Sequence, residues 1–318
     1  MSRMNKLILD TDGGIDDAQA LLLLIAAGRA PFAVTTVFGN VGLEAATANI
    51  LATLAVAGAN VPVHMGAEKA IAQPLIDAKH VHGEDGLGGA PRPAQTAEPA
   101  GDDAVGFLIA TLRDAVQTQE KVDLLMIGPL TNLALALERD ASITEGIGRL
   151  TIMGGTLNGR GNVTPAAEFN IYADPEAAKI VFTSGIDIVV VPWEPCVEHN
   201  LSGAEVDALF SRVPETSAKR FSEALASHAR QRVSGFGGGD AFRFVDPFAA
   251  AVAVEPSIVT RSVRASVDVA LSSDITRGMT VVDPSGRLGT PMVTLVENAS
   301  IERLTELYAA SLSFEDIE

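Results

Sequence analysis

The segment Leu7-Ile8-Leu9-Asp10-Thr11-Asp12-Gly13-Gly14-Ile15-Asp16-Asp17-Ala18 carries four carboxylates where a strand-like run turns into a helix-like one. Carboxylates that close cannot all ionise without penalty: one must keep its proton, or several must share a cation. Gly13 and Gly14 free the backbone to turn sharply enough to aim several oxygens at one point. Asp16 and Asp17 alone would suit the first turn of any helix, where carboxylates cap free N–H groups and favour the dipole. That accounts for two of the four. Asp10 reads as a brace for the turn, and Asp12, Asp16 and Asp17 as the functional set. No cluster of His or Cys stands beside them in the sequence, so the donor set is all oxygen and calls for a hard cation. A cage of carboxylates and backbone carbonyls suits Ca2+ better than Mg2+, which keeps several of its waters.

The elements that must position this turn are legible from periodicity. Apolar runs recur at Lys6–Asp10, Phe32–Val37, Val122–Ile127, Leu150–Met153 and Ile186–Val191, and helix-like stretches follow at Asp16–Ala27, Glu44–Ala57, Thr131–Glu138 and Pro175–Thr183. Strand, polar or Gly-containing turn, helix, strand is the pattern of parallel βαβ units. The expected fold is therefore α/β and Rossmann-like, with a mainly parallel central sheet flanked by helices. Such sheets bind ligands beyond the carboxyl ends of their strands, which singles out Asp10, Asp12, Asn40, Gly128, Gly154 and Glu194. From about Leu201 to Phe244 the pattern turns helical and polar and ends in SGFGGGDAF. This predicts a helical insertion with a mobile Gly-rich loop inside one domain spanning residues 1–318.

Composition narrows the partners. A chain of 318 residues that is 47% hydrophobic and 20% charged can bury a large core, so disorder is excluded. A net charge of −17 with no Lys/Arg stripe argues against nucleic acid and anionic membrane and leaves neutral small molecules or cations. The single cysteine, Cys196, rules out an intrachain disulfide framework and reads as a small buried hydrophobe in a reducing compartment. The start MSRMNKLILD shows no leader-like stretch, and the apolar run Ala18 to Ala27 is too short to span a bilayer, so a cytoplasmic protein is expected.

DTDGGIDDA resembles the signature of the inosine-uridine-preferring nucleoside hydrolase family, which usually carries Pro where this chain has Gly13. Further segments fit in order: VFGNV (37–41), HGEDGLGG (82–89), IGPLTNLALAL (127–137), IMGG (152–155), NVTPAAEFNIYADPEAA (162–178) and VDPFAAAVAVEP (245–256). The likeness runs from about residue 6 to 260. It implies hydrolysis of the N-glycosidic bond of purine or pyrimidine ribonucleosides, a small-molecule nucleoside as partner, and a homodimer or homotetramer. It also implies Asp12, Asp17, Asp246 and the carbonyl of Ile127 as Ca2+ ligands, with Asp12 taking the proton of a bound water. Asn40, Asp16, Asn162, Glu168 and Asn170 match residues that hold the ribose, Asn40 also counting among the catalytic set, and Met153 matches one packed beneath the sugar. The chemistry asks for such a set, because glycosidic cleavage develops positive charge on the ribose and negative charge on the base.

The leaving-group side departs from the family pattern. Position 245, directly before Asp246, is Val where some members carry a proton-donating His and a purine-specific branch carries a stacking Trp. The replacement candidates are His82 in the HGEDG loop, and His228 or Arg232 ahead of the Gly-rich loop. An imidazole titrates near neutrality, and a guanidinium can steady developing negative charge without giving a proton. The segment Ser234–Phe242 is expected to close over the base, with Phe236 and Phe242 covering the ring. Each outlying residue also has an ordinary use: Asn40, Asn162 and Asn170 as turn formers, Glu168 as a solvated charge, His228 and Arg232 on an exposed helix face. Two other functions remain open: a haloacid-dehalogenase-type phosphatase, which opens with Asp-x-Asp-Gly-Thr where this chain has Gly14, and a non-catalytic calcium-, ribose- or nucleoside-binding protein.

Overall fold

The computed structural model describes residues 4–314. The chain begins with β1 (Lys6–Thr11), α1 (Ile15–Ala26), β2 (Ala33–Thr36), α2 (Leu43–Val56) and β3 (Val63–Met65). A long connection holding the short α3 (Lys79–His82) leads to α4 (Ala104–Thr118), β4 (Val122–Met126) and α5 (Thr131–Arg139). Then come β5 (Ile147–Met153), α6 (Phe169–Ala173), α7 (Pro175–Phe182), β6 (Ile188–Val191) and α8 (Trp193–Glu198). The segment expected to be an insertion forms β7 (Asn200–Ser202), α9 (Gly203–Phe210), α10 (Ser217–Gly235) and β8 (Ala241–Arg243). The last elements are α11 (Asp246–Val254), β9 (Val259–Val269), β10 (Thr280–Asp283), β11 (Met292–Ala299) and α12 (Ile301–Ala310).

The main sheet has the order β3-β2-β1-β4-β5-β6-β11-β9-β10, with β7 and β8 pairing antiparallel beside it. The pairings from β3 across to β11 are parallel, and β9 is antiparallel to both β11 and β10. From β3 to β6 this is the doubly wound order, in which the strand sequence reverses between β1 and β4 and opens a crevice at their carboxyl ends. Asp10 lies opposite Met126 in that register, so the chain leaving β1 and the chain leaving β4 emerge side by side.

The apolar runs become strands because both faces of the sheet are covered. Leu7, Ile8 and Leu9 are all buried, Ile8 on one side and its neighbours on the other. In α1, Leu21, Leu22, Leu23 and Leu24 are all buried, which a helix with one covered face would not allow. It is wrapped by α2, α10, α11 and α12, and each such leucine contributes about 2 kcal/mol. At the start of α7, the Asp174 side chain accepts the N–H of Ala177 at 3.1 Å and Pro175 presets the first turn.

The expected elements are present with ends displaced by a few residues at most. The antiparallel β9–β11 edge had no counterpart in the reading of the sequence. The expected loop over Ser234–Phe242 is shorter, since α10 continues through Gly235. Phe242 cannot cover a ligand: it lies fully buried on β8, its ring 5.3 Å from that of Phe244 and 4.9 Å from that of Tyr308. An aromatic ring with buried aromatic neighbours stays in the core rather than on a loop. Phe236 is 64% exposed. Among the described residues no helix is long and apolar enough to cross a membrane.

Candidate active site

The acidic turn starts where β1 ends. Gly13 adopts φ +67 and lies against the backbone of Ala46 so closely that a side chain would collide with it. The chain then enters α1 with Gly14 as its cap. Asp17 reaches back from the first turn: one oxygen accepts the Thr11 hydroxyl and the Asp12 N–H (3.2 Å), the other the Gly14 N–H (2.8 Å). Asn40, just after β2, fixes Asp12 by donating its backbone N–H (2.7 Å) and its amide (2.9 Å) to the two carboxylate oxygens. The same amide lies 3.0 Å from Asp17, so one side chain clamps two carboxylates. Gly39 is required beside it, because a Cβ there would run into the Asp12 carboxylate.

Asp246 arrives as the first residue of α11, which packs along α1. Asp16, Asp17 and Asp246 each offer an oxygen within 4.8 Å of the other two. Of the expected cation ligands, Asp17 and Asp246 are thus brought together. Asp16 is the third member of the trio, while both oxygens of Asp12 are turned to Asn40. The Ile127 carbonyl, at the end of β4, accepts the Asn170 amide at 3.1 Å. Burial, reinforced by Asp17 and Asp16, pushes the Asp12 carboxyl well above the usual range; burial and repulsion from Asp16, Asp17 and Asp12 do the same for Asp246. Asp16 is raised to about 6, chiefly by burial. Its Oδ1 is buried and accepts no hydrogen bond. A cluster of mutually repelling, oxygen-only donors around an unpartnered carboxylate oxygen fits a divalent cation, which would remove both the repulsion and the orphaned acceptor.

A cavity of about 560 Å3 opens over this cluster, within the range of small-ligand sites. Asn40, Met153, Asn162, Glu168 and Asn170 all line it. Glu168 caps α6, accepting N–H groups from Gly155 (2.8 Å), Asn170 (2.9 Å) and Ile171 (3.3 Å). Burial nevertheless raises its pKa from 4.5 to about 7, outweighing those three bonds. Asn162 accepts the Phe169 N–H at 2.8 Å, and the Asn170 amide also donates to the Met153 carbonyl at 3.1 Å, tying the loop before α6 to the end of β5.

Two of the strand-end positions brace the site instead. Asp10 accepts from Thr35 (2.5 Å) and Asn132 (2.8 Å), and Glu194 holds the backbone of Leu157 and Asn158 at 2.7 Å. Asn132, which the sequence reading did not single out, also donates to the Thr36 carbonyl (3.0 Å) and accepts the Ala67 N–H (2.8 Å).

Further round the cavity, His82 is buried with Nδ1 accepting the Ile15 N–H at 3.1 Å, so its proton sits on Nε2. The nearby Asp16 carboxylate, 3.6 Å away, would form an ion pair only with a protonated ring. Burial instead pushes the His82 pKa down to about 4, so the contact is one between a neutral imidazole and a carboxylate. Arg232 and Val245 line the cavity, whereas His228 does not: its Nε2 meets the Val81 carbonyl at 3.0 Å and its ring packs against Gly88. Trp193 and Arg243 also line the cavity, and the sequence reading missed both. Neither belongs to a motif; the only signal was their place next to strand ends or next to Val245-Asp246.

The chain matches the family model described as inosine-uridine preferring nucleoside hydrolase over residues 7–306. It is 39% identical over 287 residues to the non-specific ribonucleoside hydrolase RihC of Klebsiella pneumoniae, covering 90% of each chain. It is 36% identical over 313 residues to the pyrimidine-specific ribonucleoside hydrolase RihA of an Enterobacter species, covering 96% of this chain and 97% of that one. The solved structure of the plant nucleoside hydrolase PpNRh1 superposes with a TM-score of 0.87 at 31% identity, covering 97% and 99%.

Proposed function

The chain belongs to the inosine-uridine preferring nucleoside hydrolase family, and on that premise we propose that it hydrolyses ribonucleosides to free base and ribose with Asp12 as the proton acceptor. The observation that carries the reading is the buried carboxylate cluster under a ligand-sized cavity, gathered around an oxygen with no partner. Asp12, Asp17, Asp246 and the Ile127 carbonyl, with Asp16 beside them, are the groups that would hold Ca2+. When bound, the ion supplies positive charge that offsets the carboxylates' repulsion and makes a nearby water more acidic.

This chain's own residues account for the rest. Asp12 takes the proton as water attacks the anomeric carbon, and Asn40 holds its carboxylate in one orientation. Asp16, Asn162, Glu168 and Asn170 hold the ribose hydroxyls, which turns binding energy at the sugar into alignment of the reacting bond. Met153 packs beneath the ring, and the surrounding oxygens favour the positive charge that develops there. A cytoplasmic location, consistent with one buried free cysteine, and a homodimer or homotetramer belong to the same proposal.

Ca2+-loaded protein is incubated with inosine, adenosine, uridine and cytidine, and free base and reducing sugar are measured. Turnover of at least one nucleoside is expected. Binding without turnover of any would leave a nucleoside-binding protein, and phosphate release from phosphate esters instead would point to a phosphatase.

A further inference from the structure

Two arginines reach the cavity with aromatic rings for company. The Arg243 guanidinium, half-buried at the end of β8, lies 5.8 Å from the centre of a Trp193 ring, and that of Arg232, on α10, lies 5.6 Å from the Phe236 ring. Neither guanidinium has a hydrogen-bond or ion-pair partner among the described residues, and Nε of Arg232 is buried without one. Acidic neighbours are not scarce in a chain of net charge −17. Arg230, on the same helix as Arg232, is gripped by Asp207 at 2.6 Å and Asp240 at 2.8 Å. A guanidinium laid over an aromatic ring keeps its donors free at its edge.

Histidine donors are scarce in the same place. Of five histidines, only His80 and His82 line the cavity. His80 is exposed, and His82 spends its Nδ1 as an acceptor at the start of α1. His228 is tied to the Val81 carbonyl, and Val245 has nothing to give.

We propose that Arg243, held over the Trp193 ring, is the leaving-group residue: its N–H donors meet the departing base and carry the negative charge that develops there, in place of a proton-donating histidine. This rests on the hydrolase reading above. The C1′–N bond breaks with its electron pair passing to the base nitrogen, while the water oxygen bonds to C1′ and its proton passes to Asp12. The base leaves as an anion held by the guanidinium and takes a proton from solvent after release; Asp12 returns its own to solvent.

The test compares Ca2+-loaded wild type, Arg243→Met, Arg243→Lys and His82→Ala on inosine, uridine and 4-nitrophenyl riboside across pH. Nitrophenolate is a stable anion and leaves with little help. Arg243→Met should lower kcat for the nucleosides about 100-fold, the usual loss when a donor to a developing anion is removed, and for the nitrophenyl riboside at least tenfold less. Arg243→Lys should recover part of the loss. Wild-type kcat should show no alkaline fall between about pH 7 and 9, since a guanidinium keeps its charge there. Should Arg243→Met fail to fold by its melting curve, Arg243→Lys carries the same substrate comparison, because an ammonium keeps the charge but loses the planar fork. Equal losses on both substrate types, or an alkaline fall that His82→Ala abolishes, would overturn the proposal. Wild-type enzyme that turns over no riboside at all would defeat the hydrolase reading instead.

Discussion

Replacing Glu168 by Gln should make the metal-free protein less stable in acid and more stable in alkali. The wild-type carboxyl titrates at 4.5 in the open chain and at about 7 in the fold, because burial disfavours its charged form. A pKa raised by folding contributes stability that is complete below 4.5 and is lost as pH climbs through 7. Moving from about pH 5 to about pH 8 therefore removes on the order of 2.5 kcal/mol from the wild type. Gln stays neutral throughout and escapes that loss. Its amide has one oxygen where three N–H groups wait, so at least one of the bonds from Gly155, Asn170 and Ile171 fails, at about 1 kcal/mol. The variant should trail by roughly 1 kcal/mol near pH 5 and lead by roughly 1–2 kcal/mol near pH 8. Urea unfolding of both proteins in chelator at the two pH values measures this directly. A stability difference that stays constant between them would refute the claim that Glu168 is buried as its neutral acid in the metal-free fold.

Asp12→Asn should lower kcat of the Ca2+-loaded enzyme by about 10²–10⁴ while circular dichroism reports an unchanged fold, since a general base acts on the transition state. Chelation should abolish nucleoside turnover and Ca2+ should restore it, with a melting temperature that rises with Ca2+ concentration, about 2.7 kcal/mol of stabilisation being reached at a hundredfold excess over Kd. Asn132→Ala removes three hydrogen bonds, two of them buried, that tie α5 to β1, to β2 and to the chain after β3, and should cost about 3 kcal/mol in urea unfolding, shown as a lower midpoint.

The parallel half of the sheet and the acidic turn were legible because their signals are local. An apolar run followed by Asp-Gly-Gly-Ile-Asp-Asp announces strand, turn and helix start within one window, and the strand-end rule then directs attention to Asp12 as a candidate. Other features depend on contacts between distant segments. Phe242 sits beside glycines and reads as a loop residue, yet Phe244 and Tyr308 draw it into the core. His228 reads as a titrating group facing the cavity, but its helix turns it toward the Val81 carbonyl. Trp193 and Arg243 come together only because β8 folds back beside the start of α8, and nothing in either neighbourhood announces that meeting. The β9–β11 edge was missed for a different reason. In β9 the first half is largely exposed and only the second half is buried, so no single period runs through the strand.

The packing of α1 against α11 joins carboxylates far apart in the chain: Asp16 and Asp17 close to its start, Asp246 just after β8. Contacts of such long sequence separation carry a large loop-closure cost and are expected to form after the intervening strands have paired. On the expectation that this contact is missing from the folding transition state, a cation bridging these groups would act on the unfolding barrier alone. Ca2+ would leave the refolding rate nearly untouched and slow unfolding almost in full proportion to the stability it adds. The lifetime of the folded enzyme, more than its speed of birth, would then follow the calcium supply.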